Sequence, residues 1–175
     1  MKVIAAVVLS TVLLVGCATG LPPDIADPPP DNPTLHDAQT KSEEFIGRAV
    51  RWGGTIASVQ NKENETWIEV VARNLRRYGQ PYESDATQGR FIARVGRFLD
   101  PAVYADGRQI TVAGLLEKPV LQPIGEFTYL YPVVNAATVH LWEPQREVII
   151  YEPFPPWYYD PWYGHPYWYR YPPWY

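Results

Sequence analysis

The placement of proline constrains this chain more than any other feature. A proline lacks the backbone donor and fixes φ, so it interrupts a helix interior and survives in a sheet only at an edge or a break. Of nineteen prolines, six lie between Pro22 and Pro33, seven between Pro153 and Pro173, and six are spread over residues 34–150. Twelve glycines interrupt the chain further, and together they exclude a helical bundle. The two clusters are too poor in aliphatic residues to fold alone. A packed core therefore has to come from residues 34–150, and a length of 175 residues fits one such domain.

Within that core the hydrophobic pattern is that of short strands. Residues 34–46 form a short helix after the Asn32-Pro33 start signal, with Leu35, Ala38, Phe45 and Ile46 apolar and Gly47 ending it. Residues 48–60 place Val50, Trp52 and Ile56 on one parity, with Gly53-Gly54 between them. Paired glycines in a strand predict a sharp bend that curls a sheet. Asn61 to Asn64 is a hairpin turn, and residues 66–72 return as a strand rich in β-branched residues. Residues 74–89 are a polar loop. Residues 91–95 and 108–117 alternate as two further strands, separated by a connector with room for one helical turn. Residues 127–142 form a long strand or strand pair in which Pro132 marks an edge or a break. The expected fold is all-β: a small five- or six-stranded antiparallel barrel, like an oligonucleotide/oligosaccharide-binding (OB) barrel, with a short N-terminal helix and irregular tails. Closure is expected because it removes exposed sheet edges, and a two-sheet sandwich is the alternative.

The front of the chain carries its most specific motif. Val3 to Val15 is an apolar run broken only by Ser10 and Thr11, preceded by Lys2. It is too short to span a ~30 Å hydrocarbon layer, which takes ~20 residues, and reads as an export signal over residues 1–16. It ends in Leu14-Val15-Gly16-Cys17, and Cys17 is the single cysteine of the chain. This tetrapeptide resembles the lipobox of bacterial lipoproteins. The resemblance implies that Cys17 receives a diacylglyceryl thioether, that cleavage exposes its amine and that the amine is acylated. Because Ala18 rather than aspartate follows, it implies sorting to the outer membrane. Residues 17–33 then form a lipidated, proline-rich tether of extended polyproline character, expected to stand the domain off the lipid surface at ~3.1 Å per residue.

Several stretches of the core resemble one family. They are Val50 to Ile56, Gly89 to Ala93, Phe98 to Pro101, Gly107 to Gly114, Ile124 to Glu126 and Tyr131 to Val134. These glycines, turns and strand cores are similar to those of the Slp family, the starvation-inducible outer-membrane lipoproteins of Gram-negative bacteria. Membership implies an outer-membrane lipoprotein linked to envelope stability in starvation or stationary phase, anchored on the periplasmic face, with no established enzymatic activity. The aromatic tail departs from the usual pattern of the family.

That tail, residues 151–175, holds four tryptophans, eight tyrosines, one phenylalanine and seven prolines. Trp157, Trp162, Trp168 and Trp174 are the candidate aromatic contacts, since a flat apolar body with a polar tip suits membrane interfaces and sugar faces. Three readings stay open: the tail folds back or stays loose, lies on lipid, or binds an envelope glycan or protein. The chain carries a formal net charge of -4, which argues against a broad basic nucleic-acid surface. The one local bias is Arg73, Arg76, Arg77, Arg90, Arg94 and Arg97, either a solvated face or a contact for anionic lipid or polysaccharide phosphate.

Catalytic signals are weak. His36, His140 and His165 are far apart, and His140 reads as a strand residue. No metal-ligand spacing, nucleophile elbow or phosphate loop is present, so no catalytic residue, metal or cofactor is expected. The sequence reading is an envelope structural or interaction protein fixed to outer-membrane lipid through Cys17. The alternative is a periplasmic OB-like module that binds an oligosaccharide or lipid. Oligomeric state is left open.

Overall fold

The structure, a computed structural model, describes residues 20–144. Three short helices precede five strands: α1 (Pro23–Ala26), α2 (Leu35–Thr40), α3 (Ser42–Phe45), β1 (Ala49–Asn61), β2 (Thr66–Ala72), β3 (Arg90–Val95), β4 (Gln109–Ile124) and β5 (Phe127–Leu141). The strands close into a barrel in the order β1-β2-β3-β5-β4, with β4 returning to β1. Four pairings are antiparallel; β3 and β5 run parallel. The all-β, OB-like barrel is thus observed, with a mixed sheet instead of a purely antiparallel one. The parallel pair is short, from Ile92↔Val133 to Arg94↔Asn135. It is the seam at which the β4–β5 hairpin closes the ring.

β1 makes closure possible because it serves two neighbours. Its first half pairs with β4, from Ala49↔Leu115 to Thr55↔Gln109, and its second half with β2, from Gly54↔Ala72 to Asn61↔Thr66. The glycine pair sits at the change-over. A Cβ on Gly54 would lie 1.9 Å from the Val71 carbonyl oxygen, so only glycine lets the two strands approach there. A register shift between Ile56 and Ser58 completes the bend. Pro132 falls within β5, opposite a second register shift between Glu117 and Val120, where Pro119 sits in the facing strand. Two prolines that cannot donate to the ladder share one break.

The barrel interior is filled by its own side chains. Val50, Trp52, Ile56, Ile68, Val70, Phe91, Ala93, Val95, Ile110, Val112 and Val134 form one buried cluster, which Leu35 and Ala38 of α2 and Leu99 of the β3–β4 connector join. Trp52 meets Phe91 edge-on with centroids 5.4 Å apart. Fully burying a residue such as Phe91 contributes about 1.5–3 kcal/mol. The helix expected over residues 34–46 is split in two. Thr34 caps α2 by accepting from the Asp37 amide at 3.1 Å, and Lys41 breaks it before α3.

The proline-rich segment corrects an expectation. From Pro22 onward it does not stand away from the barrel but lies across the outside of β1 and β4. Ile25 is 0% exposed and Pro33 is buried. Asn32 brackets the backbone of Arg51, its Oδ1 accepting from Arg51 N at 2.8 Å and its Nδ2 donating to Arg51 O at 3.2 Å. Trp52 Nε1 donates to the Pro33 carbonyl at 2.9 Å. The acidic and proline-rich composition hid this because one isoleucine, one asparagine and the backbone carbonyls do most of the docking.

Candidate functional site

Two outer faces of the barrel carry polar groups with specific geometry. The first is formed by β2, β3 and the β4–β5 hairpin. Strand alternation turns Trp67, Glu69 and Val71 outward on β2, and Arg90, Ile92 and Arg94 outward on β3. An open barrel would leave this face to solvent or ligand. Here Ile92, Tyr131 and Val133 are buried together, with Trp67, Val120, Ile124 and Tyr129 packed against them. The hairpin, with Gly125 at φ 60 in its two-residue turn, has folded over the face.

Glu69 clasps it there. Its Oε1 accepts from Arg90 Nη1 at 2.6 Å and from the Tyr131 hydroxyl at 2.7 Å, and its Oε2 accepts from Ser58 Oγ at 3.1 Å. Burial pushes the Glu69 carboxyl up, but hydrogen bonds from Tyr131, Arg90 and Ser58 outweigh it and hold it below the usual value. Burial and the Glu69 partner push Tyr131 up to about 12. A carboxylate with three donors and a lowered pKa is a poor general base. The cluster fastens Tyr131 of β5 to β2 and, through Arg90 and Ser58, ties in β3 and β1.

The second face lies over β1 and β4, beneath α1. Arg51 is 7% exposed, and its Nη1 donates to the carbonyls of Ile25 at 2.9 Å and Ala26 at 2.7 Å. Burial lowers its pKa, with Asp27 acting in the opposite sense, and Arg51 Nε is buried without a hydrogen-bond partner. Beside it, the chain after β2 folds back as a small hairpin, bridged at Leu75↔Pro81. Its turn is closed by Gly79 N on Arg76 O at 2.9 Å, and Gly79 takes φ 92 against Ile25. Thr111 Oγ1 donates to the Gly79 carbonyl at 2.6 Å, tying the hairpin to β4. A groove of about 450 Å³ runs between the N-terminal segment and strands β1, β4 and β5, lined by Asp24, Pro28, Pro29, Val50, Leu115 and Ala137 among others.

The six arginines, read from sequence as either a solvated face or an anionic-surface contact, have different surroundings. Arg90 is bound to Glu69, and Arg94 is paired with Glu117 at 2.5 Å and Glu65 at 3.5 Å. Arg73 donates to the Ala86 carbonyl at 2.8 Å. Arg76 and Arg77 stand exposed over Tyr82 and Tyr78 respectively, with guanidinium carbons 5.2 and 5.7 Å from the ring centroids. Arg97 is exposed and has no ion pair among the described residues. The sequence reading could not see this because the pairing carboxylates come from β2, its preceding turn and β4. Trp67 is likewise not a bare stacking platform. Lys62 Nζ lies 3.1 Å from its ring centroid, and its Nε1 donates to Glu65.

His140 is half-buried and meets Trp142 edge-on at 4.4 Å, with burial lowering its pKa. Among the described residues no group of three or more His, Cys, Asp or Glu is placed to hold a metal. Leu14, Val15, Gly16, Cys17 and Ala18 lie outside the described residues, as do Trp157, Trp162, Trp168 and Trp174. Arg51 and Ile25 are the functional positions that sequence reading missed. An arginine in an otherwise apolar strand was the available signal.

Fold and faces define a small closed barrel, packed solid inside, that wears its own N-terminal segment. Residues 14–175 match the outer membrane lipoprotein Slp family, and the chain belongs to it. It is an envelope lipoprotein of the outer membrane. It is 29% identical over 167 residues to the uncharacterized lipoprotein YeaY of Escherichia coli K12, covering 93% of this chain and 84% of that protein. With the outer membrane protein Slp of the same organism it shares 26% identity over 146 residues, covering 82% and 77%. The family match begins at the tetrapeptide before Cys17 and runs to residue 175, so the aromatic tail falls inside the family's span, contrary to the departure expected from sequence. A small single-stranded DNA-binding protein from Streptomyces coelicolor aligns with a TM-score of 0.35 and 12% identity, covering 54% of this chain and 94% of that one. A likeness of that size says nothing of a ligand.

Proposed function

We propose that this protein is a non-enzymatic structural and interaction component of the cell envelope. In this reading it is anchored by lipid on Cys17 at the periplasmic face of the outer membrane and supports the envelope under starvation. The barrel is held at the leaflet, and the aromatic tail, with Trp157, Trp162, Trp168 and Trp174, meets a second envelope component, a glycan or a protein. The observation that carries the reading is the Glu69 clasp. The face that an OB-like barrel would offer to a ligand is covered by side chains of the chain's own β4–β5 hairpin, with the Tyr131 hydroxyl donating to Glu69 at 2.7 Å.

Photocrosslinking from tail tyrosines in living cells tests it, alongside a Cys17→Ser variant. Capture of an envelope component, lost in Cys17→Ser, is the expected result. No capture, with normal envelope permeability when the protein is deleted, overturns the structural role. The ligand-binding reading rests on the groove of about 450 Å³ beside α1, a volume within the ~300–1,000 Å³ of small-molecule sites.

A further inference from the structure

The packed N-terminal segment fixes which side of the barrel lies next to the lipid. Cys17 precedes Pro23, the first residue of α1, by six positions. Six extended residues reach about 20 Å at most. α1 cannot leave the barrel freely, because Ile25 is buried and Arg51 holds the carbonyls of Ile25 and Ala26. The face over β1 and β4 is therefore confined to within about 20 Å of the lipidated sulfur.

On that side the 73–82 hairpin presents its turn. Gly79 sits against Ile25, so the turn Arg76-Arg77-Tyr78 is carried next to the anchor. All three residues are exposed, Tyr78 at 62%. Two exposed guanidinium groups, Arg77 over Tyr78 and Arg76 over Tyr82, combine the chemistries that a headgroup layer selects: cations for phosphate, and amphipathic rings for the interface. Asp24 and Asp27 of the docked segment are exposed on the same face, and Glu83 and Asp85 follow in sequence, so the positive charge is local to the turn itself. Leu115, 51% exposed on β4 beneath the same segment, adds apolar surface to this face.

We infer that the Arg76-Arg77-Tyr78 turn is a second membrane contact, seated on anionic phospholipid headgroups of the leaflet that holds the Cys17 anchor. It rests on the anchored reading above and gives that reading an orientation. The opposite end of β1, at Asn61, is ten residues from Arg51, roughly 30 Å along a strand. Phe98, 70% exposed in the segment fastened to Asn61 and Thr66, then faces away from the lipid.

The test uses the native full-length lipoprotein reconstituted into phosphatidylethanolamine vesicles with and without phosphatidylglycerol. Acylated Cys17 has no free thiol, so Tyr78→Cys and Phe98→Cys each take one environment-sensitive fluorophore. Headgroup-nitroxide lipids are expected to quench the label at 78 strongly and the label at 98 weakly, with the difference larger when phosphatidylglycerol is present. Each arginine near an anionic surface favours contact roughly fivefold, so adding Arg76→Gln and Arg77→Gln should lower the contact equilibrium roughly 25-fold. Equal quenching at 78 and 98 in singly labelled, vesicle-bound protein overturns the orientation alone. Two labels per chain and loss of protein from the vesicles overturn the anchor and this contact with it.

Discussion

Replacing Ile25 by alanine decides whether the proline-rich segment is part of the fold. Ile25 is 0% exposed and is the only residue of α1 that is buried. Truncating a buried aliphatic side chain to alanine costs about 2–5 kcal/mol, of which transfer accounts for about 1.5–3 and the residual cavity for the rest. The site lies at the surface of the barrel, where collapse is easier than in its interior, so a value of about 3 kcal/mol is expected. With an m of about 2 kcal/mol/M in urea, the midpoint falls by about 1.5 M. Arg51→Met is the contrast. It removes two charge-assisted hydrogen bonds to the segment, but also a buried charge and an unpartnered Nε. Losses and gains offset to within about 1 kcal/mol. Urea unfolding followed by circular dichroism, with nonspecific proteolysis of residues 20–33, measures both. A midpoint shift under about 0.3 M for Ile25→Ala, with the segment cleaved as readily in the parent protein, would show that docking is too weak to enter the cooperative unit. The barrel would then stand free on a tether after all.

The change-over in β1 makes a sharp pair. Gly54→Ala places a Cβ 1.9 Å from a backbone oxygen and should destabilise by about 3 kcal/mol or more, whereas Gly96→Ala meets nothing within 4 Å and should stay within about 0.5 kcal/mol in thermal melts. Glu69 has a folded pKa below its ordinary 4.5, so its contribution is present above that value and is lost as pH falls through the folded one. Tyr131, raised from 10.0 to about 12, contributes below 10 and loses its share as pH rises toward 12. Glu69→Gln should flatten the acid limb of the stability profile, and Tyr131→Phe the alkaline limb; unchanged limbs would remove the clasp from the stability account. Deleting residues 151–175 should leave a cooperative, two-state barrel while abolishing any tail crosslink. A broadened transition by calorimetry would place the tail in the core instead.

Strand content and closure were legible because they rest on local rules. Val50, Trp52 and Ile56 alternate, and all three are buried. Residues 66–72 match β2. The glycine pair marks the bend, and Pro132 the break in register. What escaped was every feature made by contacts distant in sequence. The parallel β3–β5 seam joins Ile92 to Val133, which no turn signal connects. Arg90 looked like part of a basic patch because its partner Glu69 lies 21 positions away on the neighbouring strand. The β4 extension to Ile124 was hidden by Pro119 and Pro123, which read as breakers in isolation but sit in a two-stranded ribbon. The docked segment was least visible of all. Its composition is that of a spacer, and it is held by Ile25, by the Asn32 side chain and by backbone carbonyls that every sequence has.

These long-range contacts also bear on how such a protein could act. The hairpin covers one broad face of the barrel and the N-terminal segment another, and the most exposed large apolar side chains among the described residues are Tyr78, Phe98, Leu121 and Phe127. One such side chain alone falls far short of the ~800 Å² per partner of a stable interface. Tethering changes the requirement, since a short linker converts each contact into an intramolecular one at an effective concentration on the order of millimolar. A six-residue link from Cys17 to α1 puts the Arg76-Arg77-Tyr78 turn in that regime. Contacts too weak to recruit the protein then suffice to orient it. The prediction is that Arg76→Gln with Arg77→Gln leaves membrane fractionation intact and lowers only the headgroup-nitroxide quenching of a label at position 78.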